Sequence, residues 1–209
     1  MKNKYKLKKI VYTISLSAIA LIVSLIEIPI PLAVGFKLDL SEVVVLVSYL
    51  ILGFNGALTV IGFRSLTRRL FRGFDPMNLF GEGIAIVASL VILITYIIIK
   101  KIKKDQQKPL FIDTPVQINL IKPKDWIIIP IVLSLSLGIF LTIFHVALTP
   151  TILGLITTGK PLIQYNHFFD YLWQALIMVG SYIPLNFVKG VATGIIFLYL
   201  KPRLEQIEY

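Results

Sequence analysis

The chain has no cysteine, which removes disulfide bridges, thiolate metal sites and cysteine nucleophiles together. Histidine occurs twice, at 145 and 167, and neither has a second histidine or a carboxylate at ligand spacing, so each reads as a packed or hydrogen-bonded residue and no metal site is expected. Charge is scarce. Asp, Glu, Lys and Arg make up 15% of the 209 residues, where a soluble domain carries roughly a quarter. The charge also leans one way, with 21 Lys and Arg against 11 Asp and Glu. Hydrophobic residues fill 56% of the sequence and the mean hydropathy is +0.84. A bilayer core takes roughly 20 apolar residues per spanning helix, and several such stretches follow one another with no room left for a large soluble domain. The composition is that of an integral membrane protein.

The apolar stretches predict an all-α fold of six transmembrane helices, near residues 10–30, 41–54, 56–72, 79–99, 126–157 and 168–200. They form one domain over 1–209, with a basic N-terminal segment (1–9) and a basic linker (100–125). The start, MKNKYKLKK before an apolar run, has the basic end of a signal peptide but no small-x-small cleavage site, and reads as a retained first span. Gly53 and Gly56 break the second and third stretches. The fifth and sixth are long enough for a bend or half-helix, and Pro184 falls inside the sixth. Membrane helices tolerate such breaks where the freed backbone groups are buried in protein or line a cavity. The region therefore reads either as the wall of an outward-facing solute cavity or as a packing kink.

Orientation follows from the loops. Lys2, Lys4, Lys6, Lys8 and Lys9 precede the first stretch, Lys100, Lys101, Lys103, Lys104 and Lys108 follow the fourth, and Lys201 and Arg203 follow the sixth. With six spans all three groups share one side, which the positive-inside rule makes cytoplasmic, so both termini are expected inside. The net charge of +10 is then topology and attraction to the lipid bilayer's anionic head groups; a nucleic-acid partner would need a basic face with soluble structure behind it.

One segment breaks that pattern. GFRSLTRRLFRGFD, residues 62–75, falls on the outer side yet holds Arg64, Arg68, Arg69 and Arg72. Arg64, Arg68 and Arg72 are four apart and share a helix face. A cation inside the membrane is costly unless it meets protein, water or a partner. Three readings stand: Arg64 pairs with an acid such as Glu82 or Asp75 while the others reach the head groups, or the face lines a site for an anionic or strongly hydrogen-bonding solute, or the topology differs from six spans.

Other patterns carry less. GLITTGKP (154–161) follows the phosphate-loop spacing until Pro161 replaces the Ser or Thr that would hold magnesium, and no strand precedes it. Asp39 and Glu42 in KLDLSE have the spacing of a helix cap and its reciprocal partner, with solute contact as the alternative. Thr13, Ser17, Ala18, Ala20 and Ser24 place small residues along the first helix, a surface on which another helix can approach closely.

The stretch IEIPIPLAVGFKLDLSEVVVLVSYLILGFNGALTVIGFRSL, followed far downstream by IPLNFVKG, resembles the substrate-binding S component of energy-coupling factor (ECF) vitamin transporters, most of all the riboflavin branch. The similarity covers roughly residues 12–90 and 180–200. It implies a six-helix fold with a solute site near the outer face. It further implies a subunit with no chemistry, catalytic residue, cofactor or ATPase motif of its own, in the plasma membrane of a bacterium. Its implied partners are a water-soluble vitamin, a transmembrane coupling subunit and two ATPase subunits. Asn186 and Lys189 match the family's N-x-x-K pair, Lys37, Asp39 and Ser41 its gating-loop segment, and Arg64 stands where the branch carries lysine. MNLFGEG, with Asn78 and a new acid at Glu82, replaces a Gly-Pro-x-Ala-Asn-like segment beside the implied site. Riboflavin is the substrate the resemblance implies. The extra arginines keep pantothenate or another anionic vitamin as the rival. An intramembrane enzyme acting on lipid would call for facing catalytic constellations, and a structural subunit would need no converging polar residues.

Overall fold

A computed structural model describes residues 2–26, 28–29, 37–103, 122–161, 168–180 and 182–206. Among them the elements run α1 (Lys2–Leu25), β1 (Ile28–Pro29), β2 (Lys37–Leu38), α2 (Ser41–Arg72), α3 (Pro76–Ile102), α4 (Asp125–Thr158), α5 (Phe168–Val179) and α6 (Tyr182–Glu205). The two short strands pair antiparallel, Ile28 opposite Leu38 and Pro29 opposite Lys37. All else is helix. Five of the helices, α1, α2, α3, α4 and α6, are long and apolar enough to cross a membrane.

The second and third expected spans are one element, α2, divided at Gly53. That glycine sits at φ 78°, a left-handed conformation that side chains resist. A straight helix would set Ser41 and Arg64 about 35 Å apart, yet the Arg64 guanidinium donates to the Ser41 hydroxyl at 2.7 Å. The chain must therefore reverse at Gly53, and Ser41–Leu52 lies back along Phe54–Arg72. Val45 of the first limb joins Ala57 and Ile61 of the second and Leu93 of α3 in one buried cluster.

The expected sixth span, 168–200, is two helices. Pro184 does not kink a continuous span; it lies in the first turn of α6, where a missing N–H costs nothing. The α4–α6 contact is close and rests on Gly190 and Gly194. A methyl group on Gly190 would stand 2.4 Å from Ser134 Cα, and one on Gly194 2.7 Å from Pro130 Cα. This is the small-xxx-small spacing that lets backbones meet where apolar lipid supplies no hydrophobic drive for helix association. The Ser134 hydroxyl seals the contact by donating to the Phe187 carbonyl at 2.9 Å. In the same core Tyr96 stands edge-on to Phe197 and Tyr49, with ring centroids 4.9 and 6.0 Å away.

The small residues of α1 do something other than expected. Leu16, Ala20 and Ser24 face inward, with Ala20 and Ser24 at 0% exposure, and α1 packs on α2. Ala20 and Ser24 are thus covered by the bundle and cannot be part of a partner-docking face; a helix of the same chain makes the close approach. Thr13 and Ser17 are half-buried and donate to the carbonyls of Lys9 and Thr13. Only Ala18 of the five is exposed.

Gly190→Val is expected to lower stability by about 1–3 kcal/mol through overpacking, read as a lower midpoint in thermal unfolding of detergent-solubilised protein. Gly138→Ala on α4, where an added methyl meets nothing within 4 Å, is the matched control. Equal midpoints for the two variants would show that the α4–α6 contact is not the close fit described.

Candidate functional site

The head of α2 gathers the charged residues. The Asp39 carboxylate accepts from the Ser41 N–H at 2.7 Å, one turn-like bond that fixes how the chain enters the helix. Leu40 is the cap residue, so the reciprocal cap expected of Asp39 and Glu42 does not form. Glu42, fully buried, turns to α6 and pairs with Lys189 Nζ at 2.8 Å. Asp39 pairs with Arg68 at 3.4 Å on the returning limb of α2. From α3, Glu82 receives Arg69 at 3.1 Å and lies 3.9 Å from Arg68. Seven residues further along the same face of α3, the Ser89 hydroxyl accepts from Arg64 at 3.0 Å.

Four cations (Arg64, Arg68, Arg69, Lys189) and three carboxylates (Asp39, Glu42, Glu82) are thereby packed into the bundle, most of them less than a tenth exposed. The acid expected for Arg64 is taken. Glu82 serves Arg68 and Arg69, and Asp75 caps α3, accepting from the Asn78 N–H at 3.0 Å and from the Asn78 amide. The Asn78 N–H beside Asp75 holds its carboxyl below the usual carboxylate range. Arg64, at 0% exposure, has only the two serine hydroxyls as partners among the described residues. Asn186 is also buried, and its amide nitrogen finds no partner there.

Most of the expected site residues converge. Asp39, Ser41, Arg64, Glu82 and Lys189 join directly, and Asn186 lies one turn from Lys189 on the same face of α6. Asn78 stands apart in the first turn of α3. There its amide donates to the Arg72 carbonyl at 3.2 Å, and with Arg68, Arg69, Arg72 and Glu82 it lines a cavity of about 150 Å³. Lys37 is placed through its backbone alone.

Two members are not evident as such in the sequence: Glu42 reads as a cap or a solute contact, not as the partner of Lys189, and Ser89 carries no charge, although its seven-residue spacing from Glu82 is visible. The weaker patterns resolve simply. His145 stacks on Tyr182 with centroids 4.7 Å apart and bonds Thr149 at 2.9 Å. His167 lies outside the described residues. Gly159, at φ 72°, ends α4, whereas a phosphate loop must open a helix.

The fold has a counterpart among solved membrane proteins. The solved structure of the S component of a bacterial ECF transporter superposes with a TM-score of 0.62 at 24% identity, covering 95% of this chain and 96% of that one. At that identity the likeness establishes the architecture. A family model described as heptaprenyl diphosphate synthase component I matches residues 16–112, from α1 past the end of α3. No curated protein matches the chain.

Removing one partner of a buried ion pair strands the other, at a cost of about 3–5 kcal/mol. Glu42→Gln is therefore expected to be strongly destabilising, and Glu42→Gln with Lys189→Met to recover most of the loss, both measured as unfolding midpoints. A single variant as stable as wild type would mean that the pair does not hold α2 to α6.

Proposed function

We propose that the chain is the solute-binding S subunit of an ECF-type transporter, which takes a water-soluble vitamin from outside a bacterial cell and delivers it inward with a transmembrane coupling subunit and two ATPase subunits. The observation that carries this is the coincidence of an S-component fold over nearly the full chain with a buried polar cluster built from α2, α3 and α6. Membrane helices hide charges at a cost, and such charges mark substrate paths.

The reversal at Gly53 supports six passes: α1, the two limbs of α2, α3, α4 and α6. Counting α2 as two passes puts the basic N-terminus and Lys100–Lys104 on one side, as the positive-inside rule requires, with both termini cytoplasmic and the arginine cluster in the outer half. Resemblance favours riboflavin as the solute, through Asn186 and Lys189; Lys37, Asp39, Ser41, Asn78 and Glu82 complete the surrounding set. The excess of cations favours an anionic vitamin such as pantothenate. The family likeness over residues 16–112 gives a second reading, a subunit in prenyl diphosphate chemistry, favoured by the arginines that line the 150 Å³ cavity.

Purified protein is expected to retain or bind a vitamin at sub-micromolar concentration, about 8 kcal/mol or more of binding free energy, and to copurify with a coexpressed ATPase module. Lys189→Ala combined with Glu42→Gln, which removes the ion pair without stranding a buried charge, should weaken binding by about 1.5–3 kcal/mol if this end of the cluster meets the solute. Ala18→Trp, on the exposed face of α1, should stop ATP-driven uptake while binding persists. A mass-spectrometric panel that finds farnesyl diphosphate retained and no vitamin would move the assignment to the second reading.

A further inference from the structure

We propose that the solute carries a carboxylate and that Arg64 binds it through both oxygens; this rests on the S-subunit reading and names the solute class of that site. Nη1 of Arg64 uses both its hydrogens on protein hydroxyls, Ser41 at 2.7 Å and Ser89 at 3.0 Å. Nε and Nη2 have no partner among the described residues, although the side chain is completely buried. Those two nitrogens form one edge of the guanidinium. Their hydrogens point the same way, and a carboxylate meets that edge with two parallel hydrogen bonds. The serines, one from the head of α2 and one from α3, fix the plane of the fork, so little ordering remains for a ligand to impose.

Charge fixes the class further. Among the described residues of the buried cluster, Lys189 is matched by Glu42, Arg69 by Glu82 and Arg68 by Asp39, which leaves one positive charge in excess of the three carboxylates, and Arg64 is the cation there whose partners are neutral. A single negative charge completes the set. A phosphate monoester, near −2 at neutral pH, would overshoot it. Lysine at this position would supply the charge without the fork, because an ammonium is a point donor. One to two turns of helix beyond, Arg68, Arg69 and Arg72 line the small cavity together with Glu82, three cations to one carboxylate.

The test uses detergent-purified wild type and Arg64→Lys, both shown to elute as single species, titrated with matched acids and neutral analogues: pantothenate and panthenol, biotin and biotinamide, nicotinate and nicotinamide, with riboflavin as a neutral vitamin. In wild type one acid is expected to bind at least about tenfold more tightly than its neutral analogue, the factor that one charged hydrogen bond supplies. Arg64→Lys should shrink that ratio several-fold despite keeping the charge. Should Arg64→Lys not fold, the wild-type ratio and its reduction in Ser89→Ala decide. The proposal is overturned if no acid outcompetes its neutral partner, or if riboflavin binds equally well to wild type and Arg64→Lys. Copurification with the ATPase module separates the two failures: if it persists, the S-subunit reading stands and only the carboxylate falls.

Discussion

The reversal of α2 at Gly53 is the constraint on which the rest depends. It turns a 32-residue helix into two antiparallel limbs and lays residues 39–42 against residues 64–69. Without it, Asp39 and Ser41 would be far from Arg68 and Arg64, and those two arginines would lose these partners and keep the groups that α3 supplies. An unmatched cation at the centre of a membrane helix costs about 3 kcal/mol on insertion scales. The hairpin supplies a carboxylate for one arginine and a hydroxyl for another, and α3 brings Glu82 and Ser89 from the opposite side. One glycine in the left-handed region thus decides whether the polar cluster can be buried.

The α4–α6 contact works with the hairpin. Gly190 and Gly194 draw α6 against Pro130 and Ser134, and the residues between them and the start of the helix carry Asn186 and Lys189. Lys189 then meets Glu42 across the bundle at 2.8 Å. Backbone approach on one face of α6 and an ion pair on another are two consequences of one helix position. The spacing of the glycines limits how far Lys189 can shift.

How much of this the sequence disclosed depends on whether a feature is local. The apolar runs, the glycine break and the four-residue spacing of the arginines are properties of short windows, and the fold class followed from them, whereas Asp39, Ser41, Asn186 and Lys189 were reached through the family resemblance. Partner choice is not local. Glu42 looked like a cap because a cap is what its neighbours within four residues define, yet the cation that claims it lies 147 positions away at Lys189. Ala20 and Ser24 looked like a docking surface because small residues permit close approach without saying which helix approaches. Pro184 looked like a kink because its distance from a helix start could not be read until α5 and α6 separated.

The arginines that broke the positive-inside pattern have a physical account in these pairings. The rule concerns charges in loops that must not cross the membrane, whereas Arg64, Arg68 and Arg69 belong to a folded cluster in which two have carboxylates within 4 Å. Lys189 is in the same position. As long as Glu42 holds it, its ammonium is not free for a neutral solute, and a solute that displaced Glu42 would leave a buried carboxylate without its partner, itself a cost of several kcal/mol. Arg64 imposes no such exchange, because its open edge competes with no carboxylate. A solute recognised through Arg64 therefore adds a charge pair to the cluster and breaks none, and on that ground the arginine edge, more than the Asn186–Lys189 pair, is where affinity in this bundle is to be sought.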